Sequence, residues 1–455
     1  MRSTRLLSVV AAATATTLAL APVVASARPA SATAPGGHCR VHVEVPRGPV
    51  TAEQPVTIFG QLKCPAEGPT GEQVVLYDHA AINQAGFTPV ATPVTTEKGG
   101  YFQFTSTFTV NTSVYVTAGS ARSAPRKIRV APVVTLLSPT EGTPLFTATG
   151  RQRKIHSVTF TGTVSPFEKG STVVVQREES SATEEWHRVG EPEQVKEGGK
   201  FELKRNFTQP GVANLRVVVH QPRGLGAAGA SAPASFVFSQ PQNPGLTIQA
   251  SVVGALSYGQ STTISGKVEK AAGGTPVTLL ARTPHEAHFA TVETAKTVGE
   301  TYSFTQTPLH NTLYKVVANG HTSALLAEGV KFAVTAAAPP STFPAGTTET
   351  FTGTVKGAKP GDPVYLERKS PSEVGYNLSE EGKLRPGATS GETTYSIERA
   401  FYGAGEADIR VLVPGDGEHL SKASEPSKVT ITSSPASTLH PEAAGNGALS
   451  REPKL

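Results

Sequence analysis

Hydrophobic residues alternate with Thr, Ser, Gln and charged residues along most of the chain, a period of two that predicts half-buried β-strands. In four segments this alternation runs into a glycine and continues two residues after it. The glycines are Gly60, Gly162, Gly266 and Gly353, at intervals of 102, 104 and 87 residues. Intervals near 100 residues indicate repeated domains. A glycine inside a strand predicts a bulge or the close approach of another backbone.

The segments that follow each glycine also recur. A Gly-containing turn and a second alternating run predict a hairpin in every copy. Further on, each copy has a Gly-led strand with an inward aromatic, written "GGYFQF", "GGKFEL", "GETYSF" and "GETTYSI". Roughly seven short strands per copy predict a two-sheet antiparallel sandwich. A closed barrel is the alternative, but each copy offers few strands for it.

This order of features resembles that of tandem immunoglobulin-like (Ig-like) modules in secreted and surface-exposed bacterial proteins. The second copy carries the pattern most completely, at Gly162, Val164, Gly170, Val173, Val175, Arg177, Trp186, Val189, Gly199 and Phe201. The first copy departs most, with a longer hairpin turn and with Asp78 near the place where other copies have Arg. The resemblance implies an all-β chain of four Ig-like β-sandwich domains. Such modules serve as spacers, stalks, adhesive domains and appendages of enzymes, so the resemblance does not specify the function.

The predicted Ig-like modules span residues 38–131, 132–240, 245–336 and 337–433. Short joints that contain proline separate them, and such joints favour an extended, semi-rigid string. Residues 434–455 are polar and rich in Pro, Gly and Ala, which predicts a disordered tail.

The first 27 residues have the order of a secretory signal peptide. Arg2 and Arg5 precede a light apolar stretch, and Ala25-Ser26-Ala27 offers small residues for cleavage. Ala30-Ser31-Ala32 is a second cleavage position, and an uncleaved anchor is the alternative. The rest of the sequence has no apolar stretch long enough to span a membrane. The sequence therefore predicts a secreted, extracellular protein.

Charge and cysteine content add two expectations. The formal net charge of +5 falls to +3 when Arg2 and Arg5 are removed, and no Lys/Arg run is interleaved with aromatics, so nucleic-acid binding is not predicted. The two cysteines, Cys39 and Cys64, predict a disulfide in an oxidising compartment.

Two polar clusters contain residue types that bind metal ions. In "PHEAHF", His285 and His288 are three residues apart around Glu286, whereas a zinc protease needs histidines four apart on a helix, so a polar loop is predicted. In "PGDGEH", Asp416 and Glu418 lack the further ligands of a calcium loop, so a turn is predicted. The Gly-x-Ser-x-Gly motif of many serine hydrolases is absent from the sequence. We therefore predict no enzyme, and no catalytic, cofactor or metal residues.

Large aromatic residues recur in the variable part of each copy. Trp186 has the counterparts Phe87, Phe289 and Tyr376, which favours a packing slot filled in every module core. Exposed aromatics would instead stack on sugars, so Trp186, Phe289 and Tyr376 are the candidate ligand contacts.

Basic residues recur after the second strand of three copies and at the close of the first copy. They are Arg177, Arg282 and Arg368, and then Arg126, Lys127 and Arg129. Long side chains that lie over the sheet and pair with carboxylates are the favoured interpretation, and acidic wall polymers as ligands are the alternative.

The predicted function is that of an extracellular, non-catalytic structural, spacer or protein-interaction string. Its partner would be an extracellular protein or a component of the cell envelope. The alternatives are a carbohydrate- or cell-wall-polymer-binding protein and an accessory subunit of an enzyme encoded elsewhere. Activity is expected where the copies differ, in residues 78–98, 178–198, 281–299 and 368–392.

Overall fold

A computed structural model describes residues 39–46, 48–65, 69–83, 85–90, 92–147, 157–178, 186–401 and 403–432. The predicted signal peptide and the predicted tail lie outside these residues. The chain divides into two compact units, Met1–His38 and Cys39–Leu455, and all described residues belong to the second.

The first module consists of short strands in two packed sheets. Its strands are β1 (Arg40–Glu44), β2 (Val50–Thr51), β3 (Pro55–Lys63), β4 (Gln73–Ala80), β5 (Thr88–Pro89), β6 (Val94–Thr95), β7 (Tyr101–Thr107), β8 (Thr112–Ala118), β9 (Ala121–Arg122), β10 (Arg126–Ile128) and β11 (Val130–Ala131). One sheet has the order β1-β3-β7, and the other has the order β10-β8-β4-β5 with β6 and β9 added. Strand β11 pairs in parallel with β2.

The second module repeats this arrangement. Its strands are β12 (Val133–Ser138), β13 (Leu145–Phe146), β14 (Ser157–Ser165), β15 (Thr172–Glu178), β16 (Trp186–Gln194), β17 (Lys200–Asn206), β18 (Gly211–His220), β19 (Gly229–Ala230) and β20 (Ala234–Ser239), with a 3-10 turn at Glu197–Gly199. The sheets have the orders β12-β14-β17 and β13-β20-β18-β15-β16.

The third and fourth modules have the same two-sheet plan. The third contains β21 (Gln249–Ala250), β22 (Ala255–Ser257), β23 (Thr262–Lys267), β24 (Pro276–Arg282), β25 (Ala290–Lys296), β26 (Thr301–Gln306), β27 (Thr312–Ala318), β28 (His321–Thr322) and β29 (Leu326–Lys331). The fourth contains β30 (Ala333–Ala336), β31 (Thr342–Pro344), β32 (Thr348–Lys356), β33 (Pro363–Lys369), β34 (Asn377–Lys383), β35 (Arg385–Pro386), β36 (Glu392–Ala400), β37 (Gly405–Val413), β38 (Lys422–Ala423) and β39 (Ser427–Thr432). The larger sheets run β22-β29-β27-β24-β25 and β31-β39-β37-β33-β34.

Each sandwich encloses a hydrophobic cluster that is built from the inward positions of both sheets. In the second module, for example, Phe160, Val175 and Phe236 are buried together. The alternation of inward apolar and outward polar residues is what the sequence pattern predicts for packed sheets. The predicted fold class, all-β with Ig-like sandwiches, is confirmed.

The repeated glycine lies where a neighbouring strand and an aromatic ring come close. A Cβ atom on Gly162 would lie 2.0 Å from the Thr135 carbonyl oxygen and 2.3 Å from the Phe201 ring. In the third module the ring is Tyr302, whose hydroxyl donates to the equivalent carbonyl of Thr247 at 2.5 Å. The glycine leaves room for the ring to cross the strand, so the predicted close approach is confirmed.

The predicted disulfide is present. Cys39 and Cys64 are bonded, and they flank the paired ends of β1 and β3, where Arg40 lies opposite Lys63. The bond therefore fastens the first strand of the first module to its neighbour.

The modules do not form an extended string, so that part of the prediction is wrong. The Thr51 N–H in the first module donates to the Ser372 carbonyl in the fourth at 2.7 Å. The Asn214 amide in the second module donates to the Ser421 hydroxyl in the fourth at 2.6 Å. The prediction treats the proline joints as spacers, but only Pro132 separates β11 from β12 and only Phe332 separates β29 from β30. The chain at these two joints is too short to hold the sandwiches apart, whereas the connection between β20 and β21 is longer.

The last predicted boundary also shifts. Residues Ala333–Ala336, which were assigned to the third module, pair with β32 of the fourth. Phe332 is buried in the hydrophobic cluster of the fourth module. The fourth module therefore begins close to residue 332.

Within the residues that the structure describes, no helix has the length and apolar character needed to cross a membrane.

Candidate functional site at the joint between the third and fourth modules

Asn311 connects the third module to the loop between β37 and β38 of the fourth. Its backbone N–H donates to the Glu418 carbonyl at 2.7 Å, and its side-chain amide donates to the Gly417 carbonyl at 3.3 Å. Its side-chain oxygen accepts from the Val330 N–H at 2.8 Å. Asn311 is buried, so these bonds are shielded from water and fix the loop against the third module.

The joint between the first and second modules is built in the same way around Asn111. Its N–H donates to the Leu225 carbonyl at 2.7 Å, its side-chain amide donates to the Gly224 carbonyl at 3.1 Å, and its side-chain oxygen accepts from the Val130 N–H at 2.9 Å. Gly224 and Gly417 both have positive φ, 88° and 87°. The chain therefore repeats a pair of modules, the first with the second and the third with the fourth, each pair with the same joint.

His419 is buried at the joint between the third and fourth modules. Its Nε2 donates to the Leu309 carbonyl at 2.8 Å, and its Nδ1 lies 3.1 Å from both carboxylate oxygens of Asp416. Its ring stacks on Phe332 with 4.7 Å between centroids. Both ring nitrogens face acceptors, and through them the ring links the loop of the fourth module to the third module.

Asp416 organises the loop that carries His419. One of its oxygens accepts from the N–H groups of Glu418 at 2.9 Å and His419 at 2.6 Å, which confirms the predicted turn. Burial acts to raise the pKa of Asp416, but the hydrogen bonds and charge of His419 outweigh burial and leave that pKa below its usual value.

Glu418 lies among several basic groups. The Lys359 ammonium is 3.0 Å from one carboxylate oxygen, and His285 Nε2 is 3.2 Å from the other. The hydrogen bond from Lys359 is the main reason that the pKa of Glu418 is lowered, and the charge of His310 lowers it further. His285 and His310 belong to the third module and Lys359 to the fourth, so Glu418 interacts with basic groups from both modules.

The structure separates the residues of the "PHEAHF" cluster. His285 reaches Glu418, whereas Glu286 accepts from the N–H of Thr283 at 2.7 Å and His288 is exposed. The predicted polar loop is confirmed. Sequence analysis did not assign a role to His310 or His419, because His419 meets the third module at Leu309, 110 residues away in the sequence, and local spacing does not reveal this contact.

The candidate ligand-contacting aromatics lie on the outer face of the larger sheets, where each is half-buried and covered by a cation. Arg216 lies 4.1 Å from the ring centre of Trp186, Lys315 lies 4.3 Å from that of Phe289, and Arg410 lies 3.8 Å from that of Tyr376. The predicted packing slot thus recurs, but outside the core. In the sequence, this slot is marked by a basic residue at the third position of "NLRVVVH", "LYKVVANG" and "DIRVLVPG". A role of these rings in ligand binding stays a prediction.

The recurrent arginines do not share one type of partner. Arg177 donates to the Val212 carbonyl at 3.3 Å, Arg282 lies over Phe289, and Arg368 lies 5.9 Å from the ring centre of Phe401. Arg282 and Arg368 lie over aromatic rings, and the predicted pairing of these arginines with carboxylates stays a prediction.

The basic cluster at the close of the first module also lies on the surface. Arg126 and Lys127 are exposed, and Arg129 is half-buried.

We expect Asn311→Ala to loosen the joint between the third and fourth modules. The substitution leaves the Val330 N–H and the Gly417 carbonyl without their side-chain partner, at a cost of about 2–4 kcal/mol, whereas the backbone bond to the Glu418 carbonyl remains. Amide hydrogen exchange measures the effect, with faster exchange expected at Val330 and Leu420. Asn111→Ala is the matched control, which should affect Val130 and Ala227 instead. Equal effects of both variants on both joints would contradict the two-pair architecture.

No protein-family model matches this chain, and no curated protein does. Among solved structures, it is similar to trypsin-activated alpha-2-macroglobulin from Escherichia coli at 12% identity and a TM-score of 0.20, covering 86% of this chain and 31% of that one. It is similar to invasin, a bacterial integrin-binding protein, at 11% identity and a TM-score of 0.20, covering 86% and 79%. It is also similar to the FN1-FN3 domains of chicken CNTN1, at 11% identity and a TM-score of 0.18, covering 63% of this chain and 97% of that one. The chain thus spans about a third of the macroglobulin. TM-scores this low give no information about function.

Proposed function

We propose that this chain is an extracellular, non-catalytic scaffold whose Ig-like modules bind a protein partner by strand addition. The disulfide supports an oxidising, extracellular location. The joints support a scaffold, because they hold the sandwiches in fixed contact. The binding mode rests on the exposed edge of the third module.

The segments in which the copies differ form edge strands of the larger sheets. Strands β16, β25 and β34 each stand at the end of such a sheet. An edge strand presents unpaired N–H and C=O groups, which can pair with an extended peptide. The segments in which the copies differ thus include sheet edges that are open to pairing with an extended peptide, which supports the proposal.

Strand β25 is the single observation that carries this proposal. Six of its seven residues are exposed, and within the described sequence β24 is its only strand partner. Beside it lies a recess of about 270 Å³ lined by Val292, Leu309, Thr312 and Tyr314, among others. Val292 is 47% exposed, so this edge has an apolar centre. A peptide strand added to β25 would place alternate side chains toward this recess, which gives specificity.

Retention of the chain on cell envelopes tests this function. The comparison uses intact envelopes, protease-treated envelopes and purified polysaccharides, with Val292→Lys as the edge variant. Val298→Lys is the matched control, because Val298 is 81% exposed and lies beyond the end of β25. We expect retention that protease treatment removes and that Val292→Lys, but not Val298→Lys, weakens about tenfold or more. Retention by polysaccharide alone, unchanged in Val292→Lys, would contradict the proposal.

A further inference from the structure

The two joints differ in side chains although their backbone bonds are the same. Asn111 and Asn311 occupy equivalent positions, so the residues before them, Val110 and His310, correspond. Their hydrogen-bond acceptors Leu225 and Glu418 correspond as well, and so do the next residues, Gly226 and His419.

Three positions that are apolar or glycine in the first joint therefore carry His, Glu and His in the second. The first joint forms without these polar side chains, so the joint itself does not require them.

These side chains converge on one point. His310, Glu418 and His419 each offer a ligand atom, and the three atoms lie within 4.8 Å of one another. Ligand atoms around a tetrahedral zinc ion stand about 3.3 Å apart, as Zn–N and Zn–O bonds of 2.0–2.1 Å require. Zinc binding would therefore draw the more distant of these atoms together by up to about 1.5 Å.

The ring nitrogens of the two histidines suit such a site. His310 Nδ1 is buried and has no hydrogen-bond partner among the described residues. His419 donates from Nδ1 to Asp416, and a carboxylate in this position typically orients a metal-binding histidine. The Nε2 of His419 is directed at the Leu309 carbonyl, next to His310.

We infer that the joint between the third and fourth modules binds a Zn²⁺ ion through His310, Glu418 and His419. Two imidazoles and a carboxylate are the donors that Zn²⁺ favours, whereas Ca²⁺ and Mg²⁺ favour oxygen alone. His285, already 3.2 Å from Glu418, or a water molecule supplies the fourth ligand. Coordination by His419 Nε2 breaks its hydrogen bond to Leu309 and releases that proton to solvent. The ion joins the two modules, because His310 lies in one and the other two ligands lie in the other.

Lys359 competes with the ion for Glu418. Its ammonium is 3.0 Å from the carboxylate, but its side chain is 68% exposed and can turn away into water. Removing this charge should therefore strengthen zinc binding, whereas removing a ligand should weaken it. A purely structural role of the cluster predicts no zinc binding in any variant.

Zinc titration of the metal-free, untagged full chain tests the inference by calorimetry and by metal analysis after dialysis. We expect one Zn²⁺ per chain and no comparable binding of Ca²⁺ or Mg²⁺. The double variant His310→Val/Glu418→Leu, which copies the first joint, should weaken binding about 100-fold or more. Lys359→Gln should strengthen it about five- to tenfold. His321→Asn, which changes an exposed histidine elsewhere in the third module, should leave it unchanged.

Several results would overturn the inference. They are no uptake of zinc, uptake that the double variant retains, weaker binding in Lys359→Gln, or equal binding of Ca²⁺. The thermal midpoint of the metal-free double variant shows whether it folds, and it should stay close to that of the parent. If the double variant does not fold, the opposite directions expected for Lys359→Gln and His419→Gln decide the question.

Discussion

Gly353→Ala is expected to destabilise the fourth module by about 4 kcal/mol or more. A Cβ atom there would lie 2.1 Å from the Thr335 carbonyl oxygen and 2.3 Å from the Tyr395 hydroxyl. Neither group can withdraw cheaply, because Thr335 lies in the paired strand β30 and Tyr395 is buried in the core. The Tyr395 hydroxyl also donates to Thr335 at 2.9 Å, so moving the ring breaks a shielded hydrogen bond. Chemical denaturation, monitored by limited proteolysis of the fourth module, measures the loss in its free energy of unfolding.

Gly375→Ala is the matched control in the same module. No atom lies within 4 Å of its Cβ position, and its φ is outside the left-handed region, so the change should stay within about 0.5 kcal/mol. Similar losses for both variants would show that the effect does not come from the clash, because the reduced backbone freedom of the unfolded chain would by itself stabilise both variants. The equivalent glycines meet the same neighbours, with carbonyl distances of 2.6 Å at Gly60 and 2.0 Å at Gly162 and Gly266, so their variants should behave alike.

Glu328→Gln is expected to remove a large pH dependence from the stability of the third module. Glu328 lies opposite Thr312, as Ile128 lies opposite Thr112 in the first module, so a carboxyl group occupies a core position. Only 2% of its surface is exposed, and its Oε2 has no hydrogen-bond partner in the described part of the chain. Burial raises the pKa of Glu328 from 4.5 to about 8.

The direction of the pH dependence follows from proton binding to Glu328. Between about pH 4.5 and pH 8 the folded state holds this proton and the unfolded state does not, so rising pH favours unfolding. The stabilisation that the folded state gains from the bound proton is fully present below pH 4.5. It declines by about 1.4 kcal/mol per pH unit and is lost above pH 8. Denaturation midpoints across this range should therefore fall more steeply in the parent than in Glu328→Gln.

Two further variants complete this test. Glu328→Ile restores the side chain of the first module and should stabilise the third module at pH 9 by an amount on the order of 4 kcal/mol. Glu269→Gln removes an exposed carboxylate from the same module and should leave the slope unchanged. A parent slope that persists in Glu328→Gln would assign the pH dependence to other groups.

The candidate site was less accessible to sequence reasoning than the fold. Asp416 and Glu418 were recognised as a turn from adjacent residues, and the turn is present. His310 and His419 were not assigned a role, because His310 is far from the Asp416–His419 turn in the sequence and meets it only across the joint. Their proximity depends on how the third module docks on the fourth, and local periodicity contains no information about docking.

The sequence by itself determined the all-β fold, the repeat length, the disulfide and the need for glycine at the repeated strand position. These features follow from local alternation, turn chemistry and cysteine number, which act within one module. Only the tertiary structure decided that the modules pack against one another, that Asn111 and Asn311 form equivalent joints, and that His310, Glu418 and His419 meet. Such contacts depend on surface complementarity between modules, in which residues more than 100 positions apart in the chain become neighbours.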